Sequence, residues 1–173
     1  VAGLLVPNSH IIIKNVGINP LRTGLVDALQ LMGAELQVIP HSIWCGEPVG
    51  DIIVTSSTLY GAVIKDDIIP RLIDEIPVLA LAAACAEGKT VIQGASELRV
   101  KESDRIRTVV TQLNCLGASI EELTDGMIIS GTSKLAGGVM DACGDHRIAL
   151  MGAVAGLISE NGVKVVGFDC AEV

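Results

Sequence analysis

The segment Leu29-Gln30-Leu31-Met32-Gly33-Ala34-Glu35-Leu36 returns later in the chain as Leu113-Asn114-Cys115-Leu116-Gly117-Ala118-Ser119-Ile120. Each copy reads as an apolar helix end, a glycine stop and an apolar strand start. A second likeness joins Leu79–Gly94 to Leu150–Gly167 and, more faintly, to Val1–Val16. Each of those reads as a buried helix, a turn and a strand. Internal repetition constrains such a chain more than any other feature, because repeated units bury their apolar faces against one another rather than alone.

One unit is therefore a buried helix, a strand, a polar loop, an amphipathic helix and a strand pair. In the second copy these are expected near 76–86, 90–93, 97–104, 105–116, 119–123 and 127–130. Ile106, Val109, Val110, Leu113 and Leu116 stand at helical spacing, Gly117 ends that helix, and Asp125-Gly126 between two apolar runs predicts a hairpin. In the first copy Pro20 marks the expected start of the corresponding helix, Gly33 its end, and Asp51–Val54 the close of the strand pair. The third copy opens at Gly144 and stops at Val173, where Ala171-Glu172-Val173 matches Ser96-Glu97-Leu98. The expected organisation is a single domain with units near 1–72, 73–143 and 144–173, the last of them cut. Val1-Ala2-Gly3 carries neither an initiator Met nor a charged leader, so the chain is expected to begin inside a longer protein.

Composition narrows the partners. A net charge of −8 argues against a nucleic-acid surface, and three aromatic residues, Trp44, Tyr60 and Phe168, provide no base-stacking platform. The core must come from Ala, Val, Ile and Leu, as in α/β layers with closely packed helices. Apolar runs such as Ile148–Ile158 fall short of the ~20 residues that span a membrane, so no membrane partner is expected. Cys45, Cys85, Cys115, Cys143 and Cys170 are widely spaced, which predicts reduced, mostly buried thiols and a cytoplasmic setting. His10, His41 and His146 show no metal spacing, and no strand–G-x-G-x-x-G–helix unit points to NAD or ATP.

Two charged clusters, Lys101-Glu102-Ser103-Asp104-Arg105 and Gly144-Asp145-His146-Arg147, stand directly before apolar helical runs. A helix start offers free N–H groups and positive dipole charge, so both clusters read as anion sites. Each residue also has a structural reading. Asp74 could cap the helix entered at Pro77; Lys101 and Glu102 could be a solvated charge run; Arg105 and Arg147 could pair with Asp104 or Asp145; His146 could cap its own helix. Asn19-Pro20-Leu21-Arg22 occupies the matching loop of the first copy and either faces the same cleft or is structural.

Leu98-Arg99-Val100-Lys101-Glu102-Ser103-Asp104-Arg105-Ile106, Gly144-Asp145-His146-Arg147-Ile148 and Leu72-Ile73-Asp74-Glu75-Ile76-Pro77 resemble three motifs of the 5-enolpyruvylshikimate-3-phosphate synthase family in order and spacing. The resemblance extends over essentially the whole chain. It implies an α/β enolpyruvyl transferase fold of repeated βαβαββ units packed as an inside-out α/β barrel. The chain would be most of the C-terminal domain of a two-domain enzyme, without the N-terminal domain and the final helix. The implied reaction moves the enolpyruvyl group of phosphoenolpyruvate to the 5-hydroxyl of shikimate 3-phosphate and releases phosphate, with no metal or organic cofactor.

By the same resemblance Asp74 contacts the 5-hydroxyl and accepts its proton, while Glu102 gives a proton to the methylene carbon of phosphoenolpyruvate and later removes one. Lys101 contacts shikimate 3-phosphate, Arg105 and Arg147 clamp anions, and His146 is a site contact with no assigned proton role. The piece alone is expected to be inactive. The alternatives are the related UDP-N-acetylglucosamine enolpyruvyl transferase, whose usual sequence lacks the two charged motifs, and a non-catalytic binding domain of the same fold.

Overall fold

In the computed structural model, which describes residues 1–132 and 134–172, the repeat becomes three short sheets, each served by its own helices. The first series runs α1 (Ala2–Leu5), β1 (His10–Gly17), α2 (Gly24–Leu31), β2 (Leu36–Trp44) and β3 (Glu47–Thr55). Its strands lie antiparallel in the order β1-β3-β2. The second series runs β4 (Val63–Ile64), α3 (Ile76–Ala84), β5 (Lys89–Ile92), α4 (Arg105–Cys115), β6 (Ser119–Leu123) and β7 (Gly126–Ser130). Here β4 and β5 are parallel, the other pairs antiparallel, and the order is β4-β5-β7-β6. The third series, β8 (Gly138–Asp141), α5 (His146–Gly156) and β9 (Val163–Val166), forms a parallel pair.

The second series is thus a complete βαβαββ unit, and the β1-β3-β2 order repeats its β5-β7-β6 order. Counted by sheet membership, β4 and β8 belong with the helices that follow them, ahead of residues 73 and 144 where helix starts alone would divide the chain. A two-residue strand such as Val63–Ile64 carries no period to read. Pro20 also does not open a helix: α2 begins at Gly24. The Asn19 side chain accepts the Leu21 N–H at 3.0 Å while its carbonyl accepts the Arg22 N–H at 2.8 Å, so the segment closes as a turn instead.

The alanine-rich α3 is buried all round, with Ile76, Leu79, Ala80, Leu81, Ala82 and Ala84 at 0% exposure, and it packs between α5 and α4. α4 turns Ile106, Val109 and Leu113 inward at the expected spacing. α5 comes so close to β8 that a Cβ on Gly152 would sit 2.5 Å from the Met140 sulfur. The first sheet is less covered, and Ile11, Ile12, Ile13, Ile39, Ile43 and Trp44 are exposed.

The thiols correct one expectation. Cys45, Cys115 and Cys143 are exposed and only Cys85 and Cys170 are half-buried, because these cysteines sit at turns and helix ends rather than on inward faces. Burial pushes the Cys85 thiol up to about 11. Among the described residues, no helix is long and apolar enough to cross a membrane.

Leu79→Ala removes a side chain at 0% exposure and leaves a cavity in rigid helix packing. It is expected to lower stability by about 2–5 kcal/mol in denaturant unfolding. Leu31→Ala, at a position 64% exposed, should stay within about 0.5 kcal/mol of the parent.

Candidate active site

The three chemically loaded segments all sit where a helix begins. Asp74 belongs to a 3-10 turn, Ile73–Glu75, that leads into α3. Lys101 follows a second 3-10 turn, Ser96–Val100, and Glu102 and Ser103 lead to Asp104, whose carboxylate caps α4 by accepting the Arg107 N–H at 3.2 Å. Asp145 caps α5 by accepting the Arg147 N–H at 2.9 Å.

Arg105 joins them. Its guanidinium is 1% exposed and reaches three carboxylates from three segments. Nε donates to Asp145 Oδ2 at 2.8 Å, Nη1 to Asp74 Oδ1 at 2.9 Å, and Nη2 to Glu102 Oε2 at 2.6 Å and Asp145 Oδ1 at 3.3 Å. Asp145, at 0% exposure, also accepts the Ser103 hydroxyl at 3.0 Å. One buried ion pair therefore ties the start of α4 to the start of α5, and Asp74 brings in the turn before α3.

Around this hub lie the remaining groups. Lys101 Nζ stands 3.6 Å from Asp74 and 2.7 Å from Glu97. His146 Nδ1 is 4.0 Å from Glu102. Arg147 Nη1 donates to Glu75 at 3.4 Å, a long contact, and its buried Nε finds no partner among the described residues. A buried donor without an acceptor is uncommon and marks a place where an acceptor belongs.

Partial burial works to raise the Asp74 pKa, but the Arg105 hydrogen bond and the charges of Lys101, Arg105 and Arg147 outweigh it and hold the carboxyl below its ordinary value. Burial likewise opposes ionisation of Asp145, and Arg105, the Arg147 N–H and Ser103 again win. Arg105 is held above its ordinary value, since Asp145, Glu102 and Asp74 overcome its own desolvation.

The structure brings Asp74, Lys101, Glu102, Arg105, His146 and Arg147 into one cluster and decides among their structural readings. Asp74 does not cap α3 but binds Arg105 and Lys101. Asp104 pairs with Arg99 at 2.8 Å, not with Arg105. Glu102 is bound by a guanidinium while remaining about half exposed. His146 follows the capping residue and does not itself cap. Arg105, expected as an anion clamp, has Nε, Nη1 and Nη2 all engaged by carboxylates, and it is Arg147 that keeps spare donor capacity.

Sequence reasoning treated Asp145 only as a possible ion-pair partner and passed over Glu75 and Ser103. A signal for Asp145 was present, since an Asp between a glycine and a helical apolar run is an N-cap pattern. Its pairing with Arg105 depends on how two repeats pack and leaves no local trace. Among the described residues, no group of three or more His, Cys, Asp or Glu side chains is placed to hold a metal ion.

Comparison with known proteins agrees over the full length of the chain. A family model for EPSP synthase (3-phosphoshikimate 1-carboxyvinyltransferase) matches residues 1–173. A 3-phosphoshikimate 1-carboxyvinyltransferase of Desulfitobacterium hafniense is 51% identical over 173 residues, all of this chain and 40% of that protein. That of Roseiflexus castenholzii is also 51% identical over the same shares. Among solved structures, an EPSP synthase from Acinetobacter baumannii has a TM-score of 0.94 at 40% identity, covering 98% of this chain and 40% of its own. The enolpyruvyl transferase NikO from Streptomyces tendae, 20% identical with a TM-score of 0.73 over 98% of this chain and 37% of its own, shares the fold. The chain spans about two fifths of the length of the curated relatives it matches.

Asp145→Asn keeps shape but strands a buried guanidinium beside a neutral amide, and is expected to cost about 3–5 kcal/mol at neutral pH. The Asp145 pKa is lower in the folded state, so its contribution is complete above the ordinary carboxylate pKa and lost as pH falls through the folded value. The stability gap between parent and variant, measured by denaturant unfolding, should be widest above about pH 5 and should narrow below about pH 4.

Proposed function

Because the chain belongs to the EPSP synthase family, we propose that it supplies the proton-transfer half of an enzyme that moves the enolpyruvyl group of phosphoenolpyruvate to the 5-hydroxyl of shikimate 3-phosphate. The observation that carries this reading is the attachment of two carboxylates, Asp74 and Glu102, to one buried guanidinium at converging helix starts. An addition–elimination at an enol phosphate needs two such groups, because the hydroxyl must lose a proton while the methylene carbon gains one.

In the proposed sequence Asp74 takes the proton of the 5-hydroxyl as its oxygen attacks C2 of phosphoenolpyruvate. Glu102, entering as the acid, protonates C3, and the double bond becomes a tetrahedral centre at C2 bearing both the ether and the phosphate. Removal of a proton from C3 by the Glu102 carboxylate then expels phosphate and restores the enol ether. Glu102 ends protonated, as it began, and the proton taken by Asp74 leaves with the departing phosphate, so both groups are reset. The two carboxylates differ in surroundings, as an acid and a base must, for Asp74 also faces Lys101 and Glu102 also faces His146.

The spare donors of Arg147 are assigned to the phosphate of phosphoenolpyruvate, and Lys101 to shikimate 3-phosphate. As a substrate anion enters, it competes with Asp74 and Glu102 for Arg105. Asp74, held below its ordinary value in part by Arg105, becomes more basic when released from that guanidinium, so binding prepares it to take the hydroxyl proton. The relatives' names support shikimate 3-phosphate over UDP-N-acetylglucosamine as acceptor. The rest of a longer protein, corresponding to an N-terminal domain, would complete the site, and the cytoplasm would be its location. By itself this chain is expected to bind both substrates weakly and not to turn them over.

In the full-length enzyme, Glu102→Gln keeps the hydrogen-bonding shape and removes the transferable proton, so kcat should fall about 10²-fold or more with little change in either KM. Arg147→Ala should chiefly raise the KM for phosphoenolpyruvate. Equal, small effects of both variants, read by phosphate release, would rule out these roles.

A further inference from the structure

A narrow polar cleft of about 160 Å³ opens beside Asp74, and it is shared by Arg147, Glu75 and the turn that carries Arg22. That turn comes from the first series. It precedes α2 as the Lys101–Asp104 segment precedes α4, so the repeat itself carries it to the cluster.

The turn is firmly built. Asn19 closes it through the Leu21 and Arg22 N–H groups and reaches Glu47 Oε2 at 2.8 Å. Arg71 Nε holds the Pro20 carbonyl at 2.6 Å while Arg71 Nη2 binds Asp27. A Cβ on Gly24 would lie 2.7 Å from the Arg71 backbone, so the start of α2 is pressed directly against that anchor. All this fixes the backbone of Arg22, yet the Arg22 guanidinium makes no hydrogen bond or ion pair among the described residues. The neighbouring Arg71, which also lines the cleft, is instead held by the Pro20 carbonyl and Asp27.

We propose that Arg22 is a substrate-binding residue that, together with Arg147, receives phosphoenolpyruvate. This rests on the function assigned above and extends it to the first repeat. Two guanidinium groups with unused donors on one cleft suit an acid that carries both a carboxylate and a phosphate. The cleft has room for a three-carbon anion and is cramped for a phosphorylated ring. Glu75, which holds Arg147 loosely at 3.4 Å, and Asp74 also line it, so an anion is held there only through the arginine contacts. No covalent step involves Arg22; it orients the substrate whose C2 is attacked.

The test is steady-state kinetics of the full-length enzyme with Arg22→Gln and Arg22→Lys, assayed by phosphate release with each substrate varied in turn. Arg22→Gln should raise the KM for phosphoenolpyruvate about tenfold or more, as expected for loss of a charged hydrogen bond. It should leave the KM for shikimate 3-phosphate within about twofold, since only one substrate loses a contact. Inhibition by inorganic phosphate should weaken in parallel, the melting temperature should not change, and Arg22→Lys should recover part of the loss. An unchanged KM for phosphoenolpyruvate beside an active parent enzyme overturns the role of Arg22 alone. A joint rise in both KM values with a lower melting temperature overturns it as well, by making Arg22 structural. A parent enzyme that consumes neither substrate overturns the function and this inference together.

Discussion

The arrangement depends on one buried ion pair. Arg105 and Asp145 are 1% and 0% exposed, and either charge without the other would carry a desolvation cost of several kcal/mol. Such a pair adds little net stability over two well-packed apolar groups. What it does add is geometry: Asp145 engages Nε and Nη2 of Arg105, the Ser103 hydroxyl and the Arg147 N–H at once, so the entries to α4 and α5 cannot shift independently. The turn before α3 joins through Asp74. Three helix starts from two repeats are thereby held around one guanidinium.

That geometry sets the chemistry. Because the inner edge of Arg105 is taken by Asp145, its other nitrogens face Asp74 and Glu102, which are about half exposed. The protein thus presents two carboxylates to solvent on a cationic support that is itself shielded. In this state Asp74 is a poor base, held below its ordinary value. An anion drawing on the same positive charge would lift that restraint on Asp74, linking occupancy and proton affinity at this carboxylate.

Much of this was legible in the sequence, and the reasons are specific. α4 followed from Ile106, Val109, Val110 and Leu113 at helical spacing with Gly117 behind them, and the β6–β7 hairpin from Asp125-Gly126. The charged motifs were visible because each precedes an apolar run. What escaped has a common cause, for it depends on contacts between repeats or on competition by a side chain. β4 is too short for a pattern, and the Asn19 side chain gave the backbone another partner where Pro20 promised a helix. Asp145, read only as a possible ion-pair partner, both caps α5 and is the counter-charge of a residue forty positions earlier.

The repeat also explains why the site gathers where it does. α3 and α5 are corresponding helices of successive units, and the side-chain bonds of Arg105 bring their starts together with that of α4. There the partial positive charge of each helix adds to that of its neighbours, and such a place favours anions whether they belong to the protein or arrive from solution. Asp74, Glu102 and Asp145 all bind Arg105 there. Asp145 is sealed inside and stays. Asp74 and Glu102 lie at the surface, where an arriving carboxylate or phosphate meets donors already oriented toward negative charge and needs only to exchange with them.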